Sequence, residues 1–180
     1  MKNSKYGAIK FQCFTQEQVK IINEKIKENI IQKEDSSFVA GKLKKGEFSH
    51  AHCATLMEWL HPWLYQCQQA NREIFGYDIY WDFHLEGLTY NVYGKNGEYG
   101  WHIDADSEKP TMDMKLTCLL NLSEETYEGG DFCMINSEEN IKFTTGMGLV
   151  LNSLVAHKVT PVTKGERITL TYWGNGPSWR

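Results

Sequence analysis

From about Tyr80 to the C-terminus the chain is a succession of short β-type runs broken by glycine-bearing turns, and no other feature constrains its fold as strongly. The runs read as Leu85 to Tyr93, Tyr99 to Asp104, Lys115 to Leu122, Asp131 to Ile135, Ile141 to Thr144, Gly148 to Leu154 and Arg167 to Trp173. Between them lie Gly94-Lys95-Asn96-Gly97, Glu128-Gly129-Gly130, Thr145-Gly146 and Lys164-Gly165. Many short strands joined in this way point to a sandwich or a jelly roll, with helices covering one sheet. There is no internal repeat and no low-complexity segment.

The first part reads as helical. Thr15 with Gln18 three residues on is a capping box, and Val19, Ile22, Ile26 and Ile30 repeat on one helical face until the polar stretch Lys33 to Ser37. A second helical region spans about Ala51 to Phe75, with Pro62 in a first turn dividing it and Gly76 as its stop. The expectation is one domain over 1–180, an α+β arrangement with a helical support region over about 1–80 and a β-rich core over about 81–180. At 180 residues and 41% apolar content the chain can bury one hydrophobic core.

Composition narrows the partners. A net charge of −4, with no basic block beyond Lys42-Leu43-Lys44-Lys45, gives no global field to draw in nucleic acid or an anionic membrane. No apolar run approaches the roughly 20 residues of a membrane-spanning helix, and Met1 to Tyr6 leads into no signal-peptide core, so a soluble cytoplasmic protein is expected. The five cysteines, Cys13, Cys53, Cys67, Cys118 and Cys133, are widely spaced without a C-x-x-C pair, as free thiols in a reducing compartment would be. His50-Ala51-His52-Cys53 has no second half-site of metal-ligand spacing and reads as ordinary side chains at a helix start. His61 and His84 read as core or surface histidines.

The chemistry-bearing pattern is His102-Ile103-Asp104. Alternate residues of a strand share a face, so the imidazole and carboxylate project together while Trp101 and Ile103 point away. His157, after the strand-like run Leu149 to Ala156, is the best third ligand. Two histidines and one carboxylate leave coordination positions open, which suits Fe(II) that must also bind a co-substrate and O₂. Ten residues beyond His157, Arg167 opens a strand in which Arg167, Thr169 and Thr171 share one face and Ile168, Leu170 and Tyr172 the other. The polar face is either solvated, or it lines the barrel and its guanidinium grips a carboxylate by a two-pronged pair.

From Leu88 onward these motifs, in order, resemble the 2-oxoglutarate/Fe(II) oxygenases of the prolyl 4-hydroxylase-like group, compact microbial and viral members above all. The matching segments are Tyr93, Tyr99 to Asp104, Lys115 to Ser123, Tyr127 to Phe132 and His157 to Arg167, about half the chain. The resemblance implies a double-stranded β-helix, the cupin-like jelly roll, with N-terminal supporting helices. It implies iron held by His102, Asp104 and His157, Arg167 paired with the distal carboxylate of 2-oxoglutarate, and Tyr93, Thr169 and Asn121 in the same co-substrate pocket. Asn121 has the plainer reading of satisfying local backbone, and Tyr93 that of a barrel aromatic. The reaction implied is hydroxylation of a C–H bond with conversion of 2-oxoglutarate to succinate and CO₂, with O₂ as oxidant and ascorbate as a supporting reductant. A peptidyl residue, proline first, is the expected substrate, and a free amino acid or other small molecule is the alternative. The polar loop from Ala105 to Met114 would rim the entrance and close over a peptide.

The sequence also departs from relatives in the group. Collagen-type members use lysine where Arg167 stands, a change that keeps the carboxylate contact. The glycine that follows the family's tyrosine by three residues is displaced in Tyr93-Gly94-Lys95-Asn96-Gly97, so the loop before His102 is shaped differently. Halogenating relatives leave open the ligand position that Asp104 fills. The nucleic-acid demethylating branch has a second arginine where Trp173 stands. A catalytically silent jelly roll would not require the triad, and a zinc or manganese hydrolase on a related barrel would have no use for Arg167.

Overall fold

A computed structural model of the chain describes residues 7–39, 42–83, 87–105 and 112–179. Its helices are α1 (Gln16–Glu28) and α2 (Cys53–Ala70), the latter running into a π-helical turn over Asn71–Phe75. The strands in the first half are β1 (Ala8–Gln12), β2 (Ile30–Val39), β3 (Lys42–His52), β4 (Gly87–Tyr93) and β5 (Glu98–His102). Those in the second half are β6 (Met112–Asn121), β7 (Glu128–Gly129), β8 (Phe132–Met134), β9 (Met147–Asn152), β10 (His157–Val159), β11 (Val162–Lys164) and β12 (Arg167–Pro177).

The hydrogen-bonded order is β1-β9-β6-β12-β4-β3-β5-β10-β8, with β2 on the other side of β3 and β7 paired with β11. Every pairing is antiparallel. β3 is the corner: residues 47–52 pair with β4 in the large sheet, and residues 44–45 pair with β5 in the small one. One strand shared by two sheets folds the smaller over the larger, producing the half-barrel of a jelly roll.

The large sheet is buried on both faces for different reasons. Ile168, Leu170 and Tyr172 of β12 join Leu88 and Tyr90 of β4 and Leu116, Cys118 and Leu120 of β6 against the helices. The helices answer with Val19, Ile22 and Ile26 from α1 and Leu56, Leu60, Trp63, Leu64 and Cys67 from α2, apolar positions at helical spacing. On the other face, β12 presents Arg167, Thr169, Thr171 and Trp173 to a pocket roofed by the small sheet. No described helix is long and apolar enough to cross a membrane.

Four expectations for the N-terminal part are corrected. The Thr15 capping box is present, with both reciprocal bonds made, but α1 ends at Glu28 and Ile30 begins a strand. The segment expected to be helical support instead contains the β2–β3 hairpin, whose polar composition conceals it from period counting; ladder pairing to β4 and β5 decides the outcome. Pro62 does not divide α2. It lies on the exposed face, while Leu60, Trp63, Leu64 and Cys67 are fully buried, and that burial outweighs the roughly 3 kcal/mol a mid-helix proline costs. His50 lies in β3 beside Thr89 rather than at a helix start, and His52 is the N-cap residue of α2.

In the β-rich part, Ile141 to Thr144 forms no strand, only a single bridge from Ile141 to Phe132. The other runs are strands with shifted ends, β12 reaching Pro177. His84 and residues 106–111 of the expected entrance loop lie outside the described residues.

Candidate active site

The site begins with a register. His102 ends β5 and His157 opens β10, and the two are direct partners in the antiparallel ladder, so their imidazoles lie side by side with ring centroids 4.2 Å apart. His157 does not end the preceding strand as expected: β9 stops at Asn152, and a turn over Ser153 to Ala156 carries the chain across to the small sheet. Asp104 is likewise beyond the end of β5. Its backbone N–H donates to Ser153 O at 3.0 Å, so the same turn that delivers His157 pins the carboxylate next to both rings.

The donor atoms are aimed. His102 Nδ1 lies 2.8 Å from Gly100 O and His157 Nδ1 lies 2.9 Å from Val155 O, so in the neutral rings each Nδ1–H donates to a carbonyl and each Nε2 keeps its lone pair. The two Nε2 atoms each lie 3.5 Å from an Asp104 oxygen. All three ligand atoms fall within 4.8 Å of one another, an arrangement that could hold a metal ion. Thr117 Oγ1 donates to Asp104 Oδ2 at 2.7 Å and fixes the carboxylate's rotation. Tyr99 stacks on His102 at 3.6 Å between centroids, and Phe132 stacks behind His157 at 5.1 Å.

Arg167 faces the same pocket. It is 2% exposed and forms no ion pair among the described residues; its Nε has no hydrogen-bond partner, and its Nη1 makes one long contact to Thr169 Oγ1 at 3.4 Å. A buried guanidinium left this poorly satisfied is costly unless an anion completes it. Its carbon lies 5.4 Å from the Tyr93 ring and 5.8 Å from that of Phe143. Burial pushes the Tyr93 phenol above its ordinary range, against the pull of Arg167. Burial, then the Asp104 carboxylate, push Tyr99 up to about 12. Both phenols therefore stand as neutral hydrogen-bond donors.

The family model for the 2OG-Fe(II) oxygenase superfamily matches residues 88–175, a span that holds His102, Asp104, His157 and Arg167. Over these residues the chain is similar to the 2OG-Fe(II) oxygenases. A PKHD-type hydroxylase of Alteromonas mediterranea is 36% identical over 93 residues, covering 47% of this chain and 41% of that protein, so the chain matches less than half the length of such relatives. Two solved structures share its fold. A Pseudomonas putida prolyl-4-hydroxylase has a TM-score of 0.68 at 15% identity, covering 96% of this chain and 94% of the other. A viral collagen prolyl hydroxylase from Paramecium Bursaria Chlorella virus-1, in complex with 2OG, has a TM-score of 0.65 at 18% identity, covering 94% and 96%.

The donor set fits the Fe(II) of the matched superfamily: two imidazole nitrogens and a carboxylate leave open positions, whereas a closed structural zinc site would take a fourth protein ligand. Of the residues expected from sequence, His102, Asp104, His157, Arg167, Tyr93 and Thr169 all line one pocket. Asn121 does not. Its amide nitrogen donates to Phe143 O at 2.6 Å and to Tyr127 Oη at 3.3 Å, and its oxygen accepts from Ser123 N–H, so it braces the loop behind Arg167. Lys44, Asn91, Thr117 and Trp173 line the pocket without having been singled out as part of it. Asn91 and Thr117 could have been found by two-residue alternation from Tyr93 and Asn121; Lys44 could not, because its strand was read as part of a helical region.

Proposed function

We propose that this chain is an Fe(II)- and 2-oxoglutarate-dependent dioxygenase that hydroxylates a C–H bond of a peptidyl residue, proline first, while 2-oxoglutarate is converted to succinate and CO₂. The observation that carries the reading is the pairing of two things in one pocket: three metal-type donors, and a buried arginine whose guanidinium finds no acid partner among the described residues. A metal site alone admits hydrolases and silent binding proteins. The guanidinium adds a requirement for a carboxylate at a fixed place, which a dicarboxylic keto acid meets.

His102 Nε2, an Asp104 oxygen and His157 Nε2 would hold the iron on one face. Bound iron with 2-oxoglutarate and O₂ supplies the oxidising power for the C–H bond. Arg167 would receive the distal carboxylate of 2-oxoglutarate, with the Thr169 and Tyr93 hydroxyls as further donors. Thr117 keeps the Asp104 carboxylate oriented, and the aromatic rings of Tyr99 and Phe132 hold the imidazoles and keep water from their backs. A peptide substrate is supported by the prolyl hydroxylases among the proteins of like fold and by the exposed apolar side chains Trp101 (49%), Ile103 (39%) and Leu154 (49%) next to the ligand-bearing segments.

The test is turnover. Purified protein with Fe(II), 2-oxoglutarate, O₂ and ascorbate is given a set of proline-containing peptides, and succinate and peptide mass are measured together. The expected result is succinate formed one-for-one with a product heavier by one oxygen atom. Failure to consume 2-oxoglutarate under any of these conditions would contradict the proposal.

A further inference from the structure

The pocket contains a second cation. Lys44 of β3 is 9% exposed; its ammonium donates to Asn91 Oδ1 at 3.1 Å and lies 3.6 Å from the centroid of Phe48 and 5.1 Å from that of Tyr99. Asn91 passes the polarity on, donating from Nδ2 to Thr171 Oγ1 at 3.1 Å, which leaves the Thr171 proton to be given elsewhere. Two residues further along β12, Trp173 also lines the pocket, and its Nε1 is buried with no acceptor among the described residues.

This corner is not the Arg167 corner. Trp173 pairs with Thr117, the residue whose hydroxyl holds Asp104, so it lies at the metal end of β12. Arg167 begins the strand opposite Tyr93, and the four steps from Arg167 to Thr171 span about 13 Å at the usual rise of a strand. One end of a 2-oxoglutarate molecule tied to Arg167 and the other on the metal leaves the Lys44 corner to another molecule. An ammonium with three protons, a hydroxyl already accepting from Asn91, and the buried indole N–H all offer donors to this pocket, and a carboxylate, with two oxygens and a negative charge, can accept from them together.

We infer that Lys44, Thr171 and Trp173, with Asn91 positioning the first two, form a subsite for a carboxylate of the primary substrate, close to the carbon that is oxidised. The inference rests on the dioxygenase reading and narrows its substrate class to acids. The carboxylate is either the α-carboxylate of a free amino acid or an Asp or Glu side chain beside the target residue of a peptide.

The experiment uses the whole chain loaded with Fe(II) and 2-oxoglutarate, and reads the acceleration of succinate release over the rate without added substrate. Free amino acids are compared with their carboxamides, and capped peptides containing Asp or Glu with their Asn or Gln counterparts. Acceleration at least about tenfold greater for the acid of a pair is expected, with hits among free acids identifying one source and hits among acidic peptides the other. Lys44→Met is expected to remove that preference and Lys44→Arg to restore part of it, while the Kd for 2-oxoglutarate, measured anaerobically, stays within about twofold in both, which also reports that the variants are folded. Equal acceleration by acid and amide, no acid preference in any pair, or a 2-oxoglutarate Kd raised in Lys44→Met as it is in Arg167→Ala overturns the subsite. Absence of 2-oxoglutarate binding by the unmodified protein would instead overturn the dioxygenase reading beneath it.

Discussion

Among single side chains, Asp104 and its anchor Thr117 make the sharpest demands. The carboxylate is the one anionic ligand of the set, and Thr117 Oγ1 donates to it at 2.7 Å. Thr117→Val keeps the shape and deletes that bond. Loss of an outer contact of this kind is expected to weaken metal binding roughly 10- to 100-fold, read by competition with a chelator, and an unchanged affinity would show that the turn alone holds Asp104. Arg167→Ala is expected to raise the Kd for 2-oxoglutarate by at least about tenfold, since hydrogen bonds to charged groups contribute about 1.5–3 kcal/mol each. Its effect should be specific: 2-oxobutyrate, which has the keto-acid end but no distal carboxylate, should bind both proteins equally. Arg167 and its polar face were legible because strand alternation survives from sequence into β12, whereas Asp104 reaches the site by a different route. Its position follows from an N–H bond to Ser153, beyond the end of its strand, and spacing alone does not describe that bond.

At the scale of elements, two segments have measurable consequences. Pro62 sits in the middle of α2 on its exposed face, so Pro62→Ala should restore a backbone hydrogen bond without disturbing packing. The proline costs about 3 kcal/mol in the helix and returns up to about 1 kcal/mol by restricting the unfolded chain, so a net stabilisation of about 2 kcal/mol is expected. For a chain of this size that is a rise in Tm of roughly 4–8 °C. A lower Tm would mean that the helix is bent to suit the proline. The turn at Gly130 is the other case. Its φ is +62°, and a Cβ there would lie 2.9 Å from Arg167 Cδ and 3.0 Å from Val162 Cγ2. Gly130→Ala is therefore expected to cost about 1–2 kcal/mol from backbone strain and to weaken 2-oxoglutarate binding by displacing Arg167. The glycine pair is visible in sequence as a turn; its close approach to Arg167 is not. The β2–β3 hairpin is hidden more completely, because its polar strands follow no clear apolar alternation; β3 owes its place to pairing with distant β4 and β5, and β2 to pairing with β3.

For the whole molecule, one large sheet is packed on both sides: its outer face lies against the helices and its inner face presents Arg167 to the pocket roofed by the small sheet that bears both histidines. The helix-side core contains a buried polar node, where Tyr90 donates to Asn23 Oδ1 at 3.0 Å. Burial, and then the nearby Glu166 and Glu124, push the Tyr90 phenol up, so the folded state keeps its proton at pH values where the unfolded chain has lost it. The associated stability is complete below the ordinary tyrosine value of about 10 and declines as pH rises beyond it, with a shallower decline for Tyr90→Phe in denaturant titrations. The central claim concerns the pocket between the two sheets, where donors from β5, β10 and the segment just after β5 meet a guanidinium from β12. It is tested most directly by adding Fe(II) and 2-oxoglutarate to the protein without oxygen and recording the visible spectrum. A weak charge-transfer band that saturates at one equivalent of each, and that is lost in both Asp104→Ala and Arg167→Ala, is the expected result. No band in the unmodified protein, or one that persists unchanged in both variants, would contradict it.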